Sequence, residues 1–164
     1  MPQVHTITPC LWFDTEAEAA ANFYVSVFPQ SKIHRIARYP EAGKDVGRTP
    51  GAVMVVDFEL AGHGFTALNG GPEFHFTPAV SLQVYCRDQQ EIDRYWDALS
   101  DGGDPSAQQC GWLGDKFGLS WQIVPEGIDA FYADDDPARA QRVMKAMLSM
   151  KKIDLAALRR AAAG

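Results

Sequence analysis

No basic cluster, no apolar run of membrane length and no closely spaced cysteine pair occurs in these 164 residues. Each absence excludes something. Lys and Arg total 15 against 21 Asp and Glu, a formal net charge of −6. Binding a phosphate backbone needs clustered positive charge to release counterions, so no nucleic-acid partner is expected. The same deficit is unsuited to an anionic membrane surface. The longest apolar stretches fall far short of the ~18 residues that read as a span, so no membrane partner is expected either. Met1 to Phe13 has no basic start and no long apolar run. No signal peptide is therefore expected, and the location reads as cytoplasmic. Cys10, Cys86 and Cys110 are odd in number and far apart. That spacing excludes a zinc knuckle and a thioredoxin-type pair, and leaves three reduced thiols.

What is present is an ordinary core. Apolar residues make up 46% of the chain, and its length suits one domain burying about two-thirds of its unfolded surface. Ile7 to Phe13 is a short strand-forming run, and Asp14 or Thr15 can cap a helix, with Glu18 completing a capping box. The helix, about 16–28, places Ala20, Phe23, Tyr24 and Val27 on one face. Lys32 to Tyr39 alternates as a half-exposed strand, and 40–51 is a Gly- and Pro-rich loop. Ala52 to Leu60 and Gly64 to Leu68 are strands joined by a tight hairpin at Ala61-Gly62-His63.

The pattern then starts again. Ala79 to Cys86 is a strand, and Asp88 caps a helix to about Ser100 with Ile92, Tyr95, Trp96 and Leu99 inward. Ser106 to Trp112 and Leu119 to Val124 are strands separated by a turn at 114–118, the missing third strand being assigned to 104–112. Superposing Asp14 on Asp88, and Phe23-Tyr24 on Tyr95-Trp96, gives an internal repeat of about 72 to 74 residues. The fold class is α+β: tandem βαβββ modules, one about 4–70 and the next about 79–125, in a domain of 1–134. A C-terminal helical extension follows over 135–164. There Asp134-Asp135-Asp136 with Pro137 opens a helix with a stripe of Met144, Met147 and Leu148, and Asp154 opens another with Leu155 and Leu158. These helices are expected to lie on the domain or on a dimer partner.

The segments Thr8-Pro9-Cys10-Leu11-Trp12-Phe13, Asn22 to Pro29, Ala67-Leu68-Asn69-Gly70-Gly71-Pro72, Glu91 to Trp96, Cys110-Gly111-Trp112 and Asp115 to Gln122 occur in this order. Together they resemble the PhnB-like family, often labelled 3-demethylubiquinone-9 3-methyltransferase-like. That family lies within the glyoxalase/bleomycin-resistance/dioxygenase, or vicinal oxygen chelate, superfamily. The resemblance spans about Ile7 to Val124, and the tail after Asp134 looks typical as well. It implies paired modules enclosing a small-molecule cavity, and a homodimer.

The chemistry that such a resemblance suggests can be tested on the residues. In superfamily members that hold a metal, ligands come from the first and last strands of each module. Those positions here fall near Ile7 or Thr8, around Ala67 to Asn69, near Ser81 and at Gln122, none a good ligand for a divalent ion. No metal is expected; His5 is the residue that would change this if the first strand were registered two residues differently. Binding S-adenosylmethionine usually needs a Gly-rich turn leading from a strand into a helix, and Gly70-Gly71 leads instead into Pro72 and aromatic residues. No cofactor is expected. Cys10 and Cys86 sit at matching places in the first strands, where a cysteine is most often a small core residue. Asp57 and Glu59 share a face with Val53 and Val55. Glu59 reads as the solvent end of that face. Asp57 is the candidate acid–base group, with a solvent position as its alternative. Asp115-Lys116 reads as a surface pair in a turn.

A binding cavity is the site best supported. Trp12, Phe65, Phe74, Phe76, Trp112 and Trp121 supply aromatic walls, and Asn69, Ser81, Gln83 and Gln122 supply uncharged polar groups. Trp12, Asn69, Phe74, Trp112, Trp121 and Gln122 are the expected ligand contacts. Two functional classes follow: a metal-free enzyme, or degenerate enzyme, acting on a small organic molecule, and a non-catalytic binding protein of the resistance type. An ionisable group with a perturbed pKa in the pocket would favour the first.

Overall fold

Alternation along one central strand organises the first half of the chain: Val56, Phe58 and Leu60 are buried, while the alternate residues Val55, Asp57 and Glu59 are half-buried. The computed structural model describes residues 7–132 and 136–164, so His5, Asp134 and Asp135 lie outside the described residues. Two compact units divide the chain, one ending at His75 and the other beginning at Phe76.

The first unit runs β1 (Cys10–Phe13), α1 (Ala17–Val27), β2 (Lys32–Arg38), β3 (Val53–Leu60) and β4 (His63–Asn69). Its sheet has the order β1-β4-β3-β2, with β1 parallel to β4 and the other pairs antiparallel. That is the expected βαβββ module. Helix α1 lies on one face of it. Ala17, Ala20 and Ala21 let the helix approach closely, and Tyr24 stacks on Phe58, which stacks in turn on Phe65. Phe23, expected on the inner line, is only half-buried because the small alanines occupy it. The β3–β4 turn is two residues, Ala61 (φ 48°) and Gly62 (φ 84°), with the paired positive φ values that match the twist of a hairpin. In β2 an irregularity between Ile33 and Arg35 breaks the simple alternation. Ile33 and Ile36 pair with the buried Phe58 and Val56, and Arg35 pairs with Asp57.

Two local readings change here. The Asp14 or Thr15 capping box does not form: Glu16 stands at the N-cap without a side-chain cap bond. A residue from β4 satisfies that end of the helix, as described below. The 40–51 loop contains a 3-10 turn, Glu41–Val46, closed by Gly47 at φ 72°.

The second unit runs β5 (Ser81–Cys86), α2 (Gln89–Ser100), β6 (Trp112–Gly114), β7 (Ser120–Pro125), a short α3 (Asp129–Tyr132), α4 (Pro137–Leu148) and α5 (Leu155–Ala163). Its sheet has three strands, β5-β7-β6, with β5 parallel to β7. Asp88 caps α2 by accepting from the Glu91 amide at 2.9 Å, and Ile92, Tyr95, Trp96 and Leu99 are buried as the spacing predicts. No strand forms over 104–111, where Gln109 makes only an isolated bridge to Trp112, correcting that expectation. Asp104 takes the Ser106 amide at 2.8 Å, Pro105–Ala107 makes a 3-10 turn, and Cys110 (φ 52°) and Gly111 (φ 85°) reverse the chain into β6. Local side-chain bonding and a proline without an N–H outcompete the ladder there.

The tail is tied to this unit by backbone bonds. The Cys110 and Gly111 amides donate to the carbonyls of Met150 and Lys151 at 2.9 and 2.7 Å, and Gln89 bridges to Ile153 and Leu155. Asp136 and Asp154 cap α4 and α5 as read from the sequence. The apolar stripe of α4 is rotated from the expected one: Val143 and Met147 are buried, while Met144 and Leu148 are exposed. Among the described residues no helix is long and apolar enough to cross a membrane.

Candidate functional site

The face of the first sheet opposite α1 carries two rows of side chains set by strand register. One row is Cys10, Thr66, Asp57 and Arg35; the next is Trp12, Leu68, Val55 and Ala37. Rows two residues apart along a strand are separated by ~6.7 Å. The first is polar and charged, the second apolar. Arg35 donates from Nε and Nη2 to Asp57 Oδ2 at 2.9 and 2.7 Å, and Thr66 Oγ1 donates to Asp57 Oδ1 at 3.2 Å. Asp57, 31% exposed, therefore lies on this face with both carboxylate oxygens engaged. Glu59 pairs with His34 at 3.3 Å near the sheet margin. Cys10 is an exposed residue, yet desolvation at its sulfur and then the charge of Asp57 push its thiol up. A protonated thiol is a poor nucleophile.

Trp12 is anchored at this face. Its indole donates to the Gly71 carbonyl at 2.8 Å and meets Phe74 edge-on with ring centres 5.0 Å apart. The two glycines between them are explained by crowding. A Cβ on Gly70 would overlap the Trp12 indole, and a Cβ on Gly71 (φ 114°) would overlap the Arg48 guanidinium. Arg48, reaching in from the 40–51 loop, donates to the Gly70 carbonyl, with Asp14 and Glu73 3.9 and 3.7 Å away. The space beside this Gly pair is thus filled by the protein's own indole and guanidinium, and no helix follows it. These residues do not fit S-adenosylmethionine, so no step is routed through it.

Asn69 serves the fold. Its Oδ1 accepts from the Ala17 amide at 2.8 Å, its Nδ2 donates to the Val53 carbonyl at 3.0 Å, and its own carbonyl accepts from Tyr39 Oη at 2.7 Å. A cavity of about 260 Å³ opens beside it, walled by Asp14, Thr15, Tyr39, Arg48 and Val53. That is smaller than the ~300 Å³ at which ligand pockets begin, and the Tyr39 and Asn69 polar groups are already paired within the protein.

In the second unit, the open sheet face carries Ser81, Gln83 and Tyr85 from β5, Gln122 from β7 and Trp112 from β6. Gln83 and Trp112 both sit opposite Gln122 in the register. Gln122 donates to Ser81 Oγ at 2.8 Å, Gln83 donates to Gln122 at 3.4 Å, and Tyr85 Oη donates to Gln83 at 3.0 Å. Hydroxyls and amides bonded to one another do not fit a divalent cation. Among the described residues no group of three His, Cys, Asp or Glu side chains is placed to share an ion.

Trp121 departs from its expected role. It is 2% exposed, and its indole donates to Asp115 Oδ2 at 2.8 Å. Asp115 is no surface residue: it is 3% exposed and also accepts from the Phe117 and Leu119 amides at 2.8 and 3.1 Å. Three expected contacts (Asn69 and Trp121 as core residues, Phe74 as a partner of Trp12) are thus bonded or packed within their own unit. Arg35 and Arg48 were missed by sequence reasoning. The signal for Arg35 was its place on the strand that pairs with Asp57; that for Asp115 was an Asp-x-x-Gly turn, where a carboxylate commonly collects backbone amides.

A βαβββ module with a parallel outer strand pair, repeated in shortened form, defines the vicinal oxygen chelate fold. Within that class the chain belongs to the family described as 3-demethylubiquinone-9 3-methyltransferase, whose model matches residues 5–124. The match ends before α3, so the tail lies outside it. The PhnB protein from Bacillus cereus is 39% identical, with 74% of this chain and 99% of that one covered and a TM-score of 0.62. Protein PA1353 from Pseudomonas aeruginosa (18% identity, 75% and 98% covered, TM-score 0.57) has the same fold. So does the fosfomycin resistance protein FosX from Mesorhizobium loti (10% identity, 74% and 91% covered, TM-score 0.51). No curated protein matches the chain.

Proposed function

We propose that this chain binds a small organic molecule against the open face of its first sheet, through contacts that use no metal. The observation that carries the reading is the pairing of two rows ~6.7 Å apart: an apolar one (Trp12, Leu68, Val55, Ala37) and a charged one centred on Asp57 and Arg35. A molecule with a flat apolar body and a polar end matches both. The ion pair bears on the choice between enzyme and binder. Asp57 is tied to Arg35 and Thr66, so it acts here as a fixed dipole for orienting a ligand rather than as a free proton carrier. The binding role, as in a sequestering protein, is therefore favoured over turnover. Dimerisation and a cytoplasmic setting belong to the same proposal.

The test is a thermal-shift screen of small aromatic compounds against wild type and Leu68→Gln, a change in the apolar row. Compounds that raise the wild-type midpoint by several degrees should leave Leu68→Gln unmoved. Equal stabilisation of both proteins would place the ligand elsewhere. Conversion of any bound compound, followed by mass spectrometry and abolished by Asp57→Asn, would restore the catalytic reading.

A further inference from the structure

The open face of the second sheet holds a one-way chain of hydrogen bonds. Tyr85 Oη donates to Gln83 Oε1, Gln83 Nε2 donates to Gln122 Oε1, and Gln122 Nε2 donates to Ser81 Oγ. Each link is donor to acceptor in the same direction. The accounting at the end of the chain is asymmetric. Both amides use their oxygens inside the ladder and keep a second N–H, and Ser81 keeps its hydroxyl proton. Linked hydrogen bonds polarise one another, so a donor at the end of such a chain is strengthened.

Three further features narrow what would fit. The four side chains carry no charge, and none of them is buried: Tyr85 and Gln83 are exposed, Ser81 and Gln122 half-buried. Trp112 stands directly across from Gln122 in the register, on the neighbouring strand, and is half-buried. Cross-strand neighbours on one face lie ~5 Å apart, so one flat ligand reaches both. An anionic ligand would call for a guanidinium or ammonium, and a cationic one for a carboxylate; this set of five has neither.

We infer that this face recognises a neutral carbonyl acceptor on a planar aromatic molecule, with the oxygen on the donors of Gln122 and Ser81 and the ring against Trp112. The inference names a site of its own on the second unit, separate from the first-sheet site proposed above.

Isothermal titration of the full chain with chroman-4-one and chroman tests it, since the two probes share a bicyclic frame and differ in one carbonyl. Wild type should bind chroman-4-one about tenfold more tightly than chroman, the value of one added hydrogen bond. Gln122→Leu should abolish that preference. Gln83→Leu, which cuts the ladder one link upstream, should reduce it by a smaller factor and stands in if Gln122→Leu does not fold. Equal affinity of wild type for both probes, or a preference that survives in both variants, would overturn the carbonyl assignment and leave small-molecule binding intact. If neither probe binds wild type, the carbonyl assignment falls, while the first-sheet reading stands or falls by its own Leu68→Gln screen.

Discussion

Asn69 caps helix α1 from 52 residues further along the chain: its Oδ1 accepts the Ala17 amide at 2.8 Å while its Nδ2 holds the Val53 carbonyl at 3.0 Å. The sequence offered Asp14 and Thr15 as local caps, and the fold uses neither. One buried amide thereby joins the helix start to β3 and β4. Replacing Asn69 by Ala strips a helix cap and leaves an unpaired carbonyl, so the first unit should lose about 2–3 kcal/mol. Asn69→Asp keeps the acceptor for Ala17 but sets a buried carboxylate oxygen against the Val53 carbonyl, so it should destabilise the unit as well. Urea denaturation measures both. A loss under ~0.5 kcal/mol in Asn69→Ala, accompanied by weakened ligand binding, would return Asn69 to the ligand wall.

Asp115 gathers the Phe117 amide, the Leu119 amide and the Trp121 indole on one buried carboxylate. Removing the acceptor strands several donors at once, so Asp115→Ala should destabilise the second unit by about 3 kcal/mol or more. Trp121→Phe removes a single donor from the set and should cost less. If Asp115→Ala melts like wild type, the turn is held by other bonds and this account is wrong.

How much of this was legible beforehand depends on whether the cause was local. Asp88, Asp136 and Asp154 were readable as caps because each bonds amides two or three residues on. The βαβββ order of the first unit followed from alternation and turn chemistry in the same way. Partners far along the chain left no local trace. Asn69 capping Ala17 and Arg48 filling the space at Gly71 depend on which strands become neighbours, and neither has a short-range signature. Periodicity also misled where a bulge reset the register: Ile33 and Ile36 pair with the buried Phe58 and Val56, yet Ile33 is half-buried and Ile36 exposed. The aromatic residues were found by type, yet type does not say which face of a sheet they take. Trp112 and Trp121 lie nine residues apart in neighbouring strands, but Trp112 lies on the open face and Trp121 in the core.

The thiols should react in an order set by protonation as well as access. Burial, then Glu91, Asp88 and Glu126, pushes Cys86 up to about 12, so its thiolate fraction at pH 8 is on the order of 10⁻⁴. Iodoacetamide should label Cys86 only after unfolding. Cys10 is exposed, but its raised thiol should label slowly at pH 8 and keep gaining rate above the pH at which a peptide thiol levels off. Peptide mass spectrometry across a pH series reads both. Equal labelling of Cys86 in native and urea-unfolded protein would contradict the burial of its sulfur.

Lys152 fastens the tail to α2 by an ion pair whose pH dependence has a definite sign. Its Nζ lies 2.9 Å from Asp93 Oδ1 and 3.5 Å from Asp97 Oδ1. The bond from Lys152, then that from Gln89, lowers the Asp93 carboxyl below its ordinary value, and the bond to Asp93 raises the Lys152 ammonium. A lowered acid contributes stability that is present above its unfolded pKa, near 3.9 for Asp, and is lost as pH falls through the lower folded value. A raised base contributes stability present below its unfolded pKa, near 10.4, and lost as pH rises through the higher folded value. The gain from Lys152 should therefore be level between about pH 6 and 9 and fade at both extremes. Because the pair is largely exposed, it should be small, about 1–2 °C between wild type and Lys152→Met. Hydrogen exchange at Cys110 and Gly111, whose amides bond to Met150 and Lys151, should accelerate in Lys152→Met at neutral pH and match wild type in acid. A wild-type advantage that persists undiminished below about pH 3 would mean that packing of Ile153, rather than the Asp93 charge, holds the tail in place.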